Sequence, residues 1–290
     1  MLEQYLTASR KISELAIGDM ATLPISKTYR PKPDLPHNQH IPGLPLGTRG
    51  GVLIEHNFPL DAEYDINTFI VRNTVGYMSG LEWPHQFEVS IDGEQVFTAQ
   101  VGGKADNLRS DTNFAEAGDA IDARLKTRIP ISAGLHTITV TFLDKNGAET
   151  HEPLELFTRN LDLQDMVGMP MLDYVDIVGP FNATGHGDTT SRREVFSCYP
   201  TATSEQQACA ETILGRIGKK AYRRPLAAAD INMIMSFYQD GLAKGSFDNG
   251  IQTALRYILT SPEFLFRKEI AVPEGKGYAL EPYSRAARLS

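Results

Sequence analysis

Apolar and polar residues alternate with a period of two through the central part of the chain, which is the pattern of strands with one buried face. Asp92 and Gly93 lie between two of these segments and predict a tight hairpin turn. Antiparallel strands at this spacing predict a β-sandwich, in a jelly-roll arrangement, over residues 46–180. The predicted strands are 51–58, 62–72, 86–91, 95–101, 124–131, 136–143 and 174–178.

The hydrophobic period is 3.6 on both sides of this block. Residues 2–17 predict one amphipathic helix, and four helices are predicted after Phe181, the last opened by Ser261 and Pro262. Six prolines in the segment 22–45 predict an extended linker. The predicted fold class is therefore α+β with two domains, an antiparallel β-sandwich followed by a small α-helical bundle. The predicted divisions are an N-terminal helix that ends a preceding domain (1–20), a linker (21–45), the sandwich (46–180), a connecting loop (181–203), the bundle (204–272) and the truncated start of a next domain (273–290).

Charge and motifs narrow the classes of function. The net charge of −8 argues against nucleic-acid binding, which requires a basic surface. No run of eighteen apolar residues is present, so no membrane span is predicted. The sequence contains no phosphate-binding glycine motif and no nucleophile, base and orienting group at a recognisable spacing. These features favour a non-catalytic segment without a cofactor of its own.

The two cysteines, Cys198 and Cys209, flank a turn and a predicted helix start. In an oxidising compartment they form a disulfide, whereas in a reducing one they are two independent thiols. Neither belongs to a Cys-x-x-Cys-His motif, so this chain encodes no covalent haem attachment.

The single tryptophan, Trp83, lies between Glu82 and His85. An exposed indole beside such polar groups suits stacking against a sugar ring. The same tryptophan equally fits a position covering one end of the sandwich core. A histidine metal centre is not predicted, because no i, i+4 or His-x-His spacing occurs among His56, His85, His136 and His186.

The acidic segment 104–122 is predicted to be a loop. Its carboxylates could supply oxygen ligands for Ca²⁺, although their spacing matches no EF-hand, and a solvated acidic loop explains them equally well. The calcium ligands on the first interpretation are Asp106, Asp111, Asp119 and Asp122.

Paired arginines follow a glycine-containing loop at the end of the predicted sandwich. Arg192 and Arg193 could bind an anion or a carboxylate through their guanidinium groups. Alternatively, they could fasten the sandwich to the helical bundle by donating to backbone carbonyls.

Several short motifs follow one another along the chain. They include Gly50-Gly51, Gly179-Pro180-Phe181-Asn182, Ser191-Arg192-Arg193, Ala221-Tyr222-Arg223-Arg224-Pro225 and Ser261-Pro262-Glu263-Phe264. Together they resemble the large exported proteins of planctomycetes, acidobacteria and relatives, which carry uncharacterised domains beside a cytochrome c domain.

The resemblance implies a periplasmic or extracellular location and a haem c domain upstream in the full-length protein. The chain opens without a signal peptide and its last residues resemble the start of another domain, so we expect it to be an internal segment of such a protein. The predicted function is a non-catalytic ligand-binding and scaffolding segment, with the other domains of the same polypeptide and a polysaccharide or cell-wall ligand as partners. The strand pattern ending in 134–140 resembles that of carbohydrate-binding modules. The alternative is part of a haem-dependent oxidoreductase or electron-transfer protein whose haem lies outside this segment.

Overall fold

The computed structural model describes residues 2–32, 37–144, 168–266, 271–274, 277–280 and 282–289. The chain divides into two compact units, one made of residues 1–20 and 186–290 and the other of residues 21–185. The segment 153–163, which the sequence leaves ambiguous, lies outside the described residues.

The unit 21–185 contains two antiparallel sheets of four strands each, with the orders β1-β8-β3-β6 and β2-β7-β4-β5. Burial alternates along β3, where every second side chain enters the interior. Buried side chains of both sheets, such as Tyr64 and Phe87, form one core. The predicted α+β class with antiparallel sheets is therefore confirmed. The strands are β1 (Ile25–Tyr29), β2 (Thr48–Phe58), β3 (Asp61–Ile70), β4 (His85–Ile91), β5 (Glu94–Val101), β6 (Lys126–Ile131), β7 (Gly134–Leu143) and β8 (Leu172–Gly185).

Strand β1 lies within the segment that the sequence predicts to be an extended linker. Its five residues pair with β8 in an antiparallel register from Ile25 opposite Gly179 to Tyr29 opposite Val175. The strand is short, flanked by prolines and mostly exposed, so it carries little hydrophobic alternation. Backbone hydrogen bonding to β8 determines its conformation.

The segment 104–122 is helical, which corrects the prediction of an acidic loop. It forms α2 (Lys104–Thr112) and α3 (Phe114–Arg124). The side chain of Asn113 accepts a hydrogen bond from the Glu116 N–H at 3.2 Å and caps α3. Ala117 and Ile121, four residues apart, are the apolar side chains that α3 buries.

The other unit is mainly helical, and a single buried cluster joins its principal helices. Ser204 lies in a 3₁₀ turn, Thr203–Glu205. None of the helices in the described part of the chain is long and apolar enough to cross a bilayer. Its elements are α1 (Leu2–Ile17), α4 (Thr190–Val195), α5 (Gln206–Tyr222), α6 (Ala228–Lys244), α7 (Phe247–Thr260), α8 (Pro262–Leu265), β9 (Ala271–Glu274), β10 (Gly277–Leu280) and α9 (Pro282–Leu289).

Helix α1 belongs to this helical unit, whereas the sequence assigned it to the end of a preceding domain. It packs on α7 through its small residues: Ser13 is fully buried and its Oγ accepts a hydrogen bond from Arg256 at 3.0 Å. The larger apolar residues Tyr5, Ile12 and Leu15 remain exposed, whereas Ile17 at the end of the helix is buried in the helical core.

Candidate functional site

Trp83 lies in the connection 71–84 between β3 and β4, and 72% of its surface is exposed. The neighbouring Glu82 is also exposed. The backbone of this connection is held by a hydrogen bond of 2.9 Å from the Gly103 N–H to the Leu81 carbonyl. Trp83 thus projects from an anchored backbone and does not cover the core.

His85 has a different environment, because its ring is turned towards buried groups. The Arg49 guanidinium donates to His85 Nδ1 at 2.9 Å, and His85 Nε2 lies 2.9 Å from the Gly80 carbonyl. Nδ1 therefore acts as an acceptor and Nε2–H as a donor, which is the neutral form of the ring. Burial lowers the pKa of Arg49 to about 10, so its charge persists at neutral pH. His85 holds the start of β4 in place instead of facing solvent beside Trp83.

A cleft of about 390 Å³ adjoins the Trp83 connection. Gly102 packs so closely on the Trp83 carbonyl that a Cβ at this position, where φ is +80°, would lie 2.3 Å from that oxygen. The cleft has hydroxyl, amide, ammonium and guanidinium groups on its wall. Its polar lining residues are Thr98, Gln100, Lys104, Asp106 and Arg124.

Thr98 and Gln100 project from the same face of the edge strand β5 and are exposed. The Asp106 carboxylate accepts from the Gly102 N–H at 2.8 Å and forms an ion pair with Arg124. This arrangement fixes the floor of the cleft and leaves Lys104 exposed at its edge. The cleft can therefore offer both donors and acceptors to a neutral polar ligand.

The four aspartates considered as calcium ligands lie on α2 and α3, and the structure does not gather them around one point. Arg72 binds Asp119 at 2.9 Å and Asp122 at 2.5 Å, while Asp106 pairs with Arg124. Burial raises the pKa of the Asp122 carboxyl, against the effect of Arg72. In the described ranges of the chain, no group of three or more His, Cys, Asp or Glu side chains is arranged to hold a metal ion.

A second cleft, of about 500 Å³, lies at the outer face of the β1-β8-β3-β6 sheet and was not predicted from the sequence. The rings of Phe69 and Tyr174 stack with their centroids 4.3 Å apart. Arg30 lies over the Tyr174 ring and Lys126 over the Phe69 ring, at 4.5 and 5.5 Å. Cations thus cover the outer ring faces, and the aromatic stack here supports the sheet more than it offers a free platform.

The two candidate arginines of the helical unit have separate partners. Arg192 donates to Asp248 at 2.8 Å and to the Ile17 carbonyl, and Asp248 is only 3% exposed. The Tyr199 hydroxyl donates to the other carboxylate oxygen of Asp248 at 2.9 Å. Arg193 pairs with Asp188 at the surface. The two guanidinium groups therefore do not converge on one anion-binding site.

Cys198 and Cys209 form a disulfide, with their Cα atoms 6.0 Å apart. The bond ties the segment after α4 to the first turn of α5. Cys209 is buried in the helical core, together with Ile213 and Ile258.

Comparison with known families gives a match in the helical unit. Residues 209–269 match the family described as PSD5, protein of unknown function (DUF1595), a domain found in cytochrome c-associated proteins. The matched residues run from within α5 to beyond α8 and include Asp248. No curated protein matches the chain.

Among solved structures, the chain is similar to dimeric latent PorU from Porphyromonas gingivalis. The similarity covers 54% of this chain and 12% of that one, with 8% sequence identity and a TM-score of 0.27. A TM-score of this size does not establish a common fold.

Proposed function

We propose that this chain is a binding and scaffolding segment of a larger exported protein that carries a cytochrome c domain. We propose further that its sandwich binds a polysaccharide at Trp83 and the adjoining cleft. The observation that carries the proposal is the exposure of Trp83 on an anchored connection beside a polar cleft of about 390 Å³.

The chemistry of the site favours a sugar over an apolar ligand. A pyranose ring presents C–H groups on its faces and hydroxyl groups at its edge. An exposed indole provides the apolar platform that such a face requires. Thr98, Gln100 and Lys104 can then exchange hydrogen bonds with the hydroxyl groups, as in other sites where a few polar groups orient a ligand.

The strand order supports a jelly roll like that of carbohydrate-binding modules. The first strand pairs with the eighth and the second with the seventh, while β3 pairs with β6 and β4 with β5. This is the pairing of one long antiparallel ribbon folded into two sheets, as in a jelly roll.

Export is supported by the Cys198–Cys209 disulfide, because such bonds persist in oxidising compartments. The family match over residues 209–269 supports the association with a cytochrome c protein. We assign the haem itself to a domain outside this chain, since the sequence has no Cys-x-x-Cys-His motif.

A glycan array tests the binding function. The protein is expected to bind one class of polysaccharide, and Trp83→Ala is expected to lose that binding. Trp83→Phe retains a smaller aromatic platform and is expected to bind more weakly. Leu46→Ala, which truncates another highly exposed apolar side chain, serves as the matched control and should bind like the unaltered protein. Absence of binding to any polysaccharide would remove the sugar-binding proposal and leave a scaffold.

The second candidate function is participation in a haem-dependent oxidoreductase, and the family match in the helical unit is the observation that favours it. Turnover of a redox dye by the full-length protein tests this alternative. Loss of turnover on replacing Arg192, in a variant that stays folded, would favour it over the scaffold.

A further inference from the structure

Three side chains at one end of the sandwich stand in the order of nucleophile, base and orienting acid. Ser132 Oγ lies 3.3 Å from His136 Nε2, and His136 Nδ1 lies 2.6 Å from Asp92 Oδ2. These contacts involve the same two ring nitrogens, in the same roles, as in serine hydrolases. We propose that Ser132, His136 and Asp92 form a catalytic triad that cleaves small acyl esters.

The orienting acid is held rigidly by the hairpin turn. Asp92 and the following Gly93 both have positive φ, as the turn between β4 and β5 requires. The Asp92 N–H donates to the Thr137 carbonyl, and the Thr137 N–H donates back to Asp92 Oδ1, each at 2.8 Å. The Thr137 N–H and His136 hold the pKa of the Asp92 carboxyl below its usual value. Asp92 is therefore ionised, and its bonds to Thr137 fix it beside His136.

This placement determines the tautomer of the base. Because Asp92 Oδ2 accepts the proton on His136 Nδ1, the other nitrogen, Nε2, remains an acceptor towards the Ser132 hydroxyl. The edge of the His136 ring also contacts the buried Phe58, with centroids 5.7 Å apart, which limits rotation of the ring. Nucleophile and base thus face each other from the turn between β6 and β7 and from the start of β7.

The approach to the two reacting groups is open. Ser132 is exposed. Gly134, with φ of +131°, lies between them in the sequence, and a Cβ built on it would be 3.9 Å from His136 Nε2. Without a side chain at Gly134, the space beside His136 Nε2 is open. The substrate class that we propose is an acetyl ester on a larger molecule, since a small acyl group can reach an exposed serine.

The reaction balances with water as its only co-reactant. Ser132 Oγ attacks the ester carbonyl carbon and gives its proton to His136 Nε2. The ester C–O bond then breaks, the alcohol leaves with the proton from His136, and an acetyl-serine remains. Water attacks the carbonyl carbon of this acetyl group while His136 Nε2 takes a proton from the water. The bond between Ser132 Oγ and the acetyl carbon then breaks, and the proton on His136 returns to Ser132 Oγ. Acetic acid leaves and gives its remaining proton to the solvent as acetate.

This inference goes beyond the proposed binding function and does not depend on Trp83. A segment that binds no sugar could still cleave esters, and a segment that binds sugar could lack the activity. The two proposals therefore fail separately.

A fluorophosphonate probe and 4-nitrophenyl acetate test the inference on the whole chain. The folded protein is expected to gain one phosphonyl group, mapped to Ser132 by tandem mass spectrometry, and to hydrolyse the acetate. Ser132→Ala is expected to lose both. Asp92→Asn keeps the acceptor for Thr137 but favours the wrong imidazole tautomer, so it should slow labelling at least about tenfold.

Two controls make the outcome decisive. Ser26→Ala removes another exposed serine of the sandwich and should leave labelling unchanged. Circular dichroism identifies a temperature at which all variants are folded, and His136→Gln provides a second loss of the base if Asp92→Asn is unstable. Failure of the folded protein to react, or equal labelling of Ser132→Ala, would overturn the inference.

Discussion

Replacing Asp248 with asparagine is expected to destabilise the helical unit strongly. The Asp248 carboxylate is buried, and it accepts hydrogen bonds from Arg192 at 2.8 Å and Tyr199 at 2.9 Å. His186 Nε2 lies 3.6 Å from the same oxygen as Arg192. Asparagine keeps one acceptor but leaves the Arg192 guanidinium, which is only 13% exposed, without its counter-charge.

The magnitude follows from the contacts that remain. Breaking a buried ion pair by removing one partner costs about 3–5 kcal/mol. Arg192 retains the Ile17 carbonyl and its position over the Phe196 ring at 4.5 Å, which reduces the loss. We therefore expect the free energy of unfolding to fall by about 3 kcal/mol. With a urea m-value of about 1.5 kcal/mol/M, this is a midpoint shift of about 2 M.

Urea titration followed by circular dichroism at 222 nm measures this shift, since most helices belong to this unit. The matched control is Asp188→Asn, which breaks the neighbouring pair with Arg193. The side chains of Asp188 and Arg193 are 79% and 58% exposed. We therefore expect the free energy of unfolding to change by less than about 0.5 kcal/mol. Equal midpoints for the two variants would refute the claim that the buried Asp248 carboxylate stabilises the helical unit more than the exposed pair does.

Three further predictions follow. Reducing the Cys198–Cys209 disulfide is expected to lower the free energy of unfolding by roughly 2–3 kcal/mol, because the bond closes a short loop in the unfolded chain; identical urea midpoints with and without reductant would contradict this. EGTA is expected to leave the melting temperature unchanged, because three of the four candidate calcium ligands are bound to arginines; a decrease that calcium reverses and magnesium does not would show the opposite. Acidification from about pH 6.5 to 4 is expected to destabilise the sandwich. Burial lowers the pKa of His56 to about 4, so in this window the imidazole takes up a proton only in the unfolded chain. His56→Gln, which keeps a partner for the Tyr29 hydroxyl, should flatten this part of the pH profile in urea titrations, and an unchanged slope would disprove the cause.

Seven of the eight sandwich strands could be predicted from alternation or β-rich composition, most clearly β3, whose buried face imposes a period of two. The eighth, β1, is an exposed edge strand, and its pairing with β8 leaves no local signal. Helices α2 and α3 were missed because they bury few large apolar residues; α3 buries Ala117, Gly118, Ile121 and Asp122. A segment of small and acidic residues is typical of a loop, and only the surface on which it packs shows that it is helical.

The site residues depend on contacts that sequence spacing does not encode. Asp92 and His136 are brought together by the antiparallel pairing of β4 with β7, in which Ile91 lies opposite Ile138. The Asp-Gly turn and the strand 136–143 were both recognisable, but the pairing that places them side by side was not. The sequence left two interpretations of Trp83 open, an exposed platform for a ligand or a residue that covers the core. Only its exposure in the folded chain distinguishes them. His85 lies two residues away and faces buried partners instead.

Fluorescence of Trp83 tests the central claim most directly, because it is the chain's single tryptophan and its emission reports on this position alone. A polysaccharide identified on the array is titrated into the protein, and emission and acrylamide quenching are recorded. Stacking on the indole is expected to shift the emission to shorter wavelength and to protect it from acrylamide, in a saturable manner. Binding that leaves both quantities unchanged would contradict the assignment of Trp83 as the sugar platform.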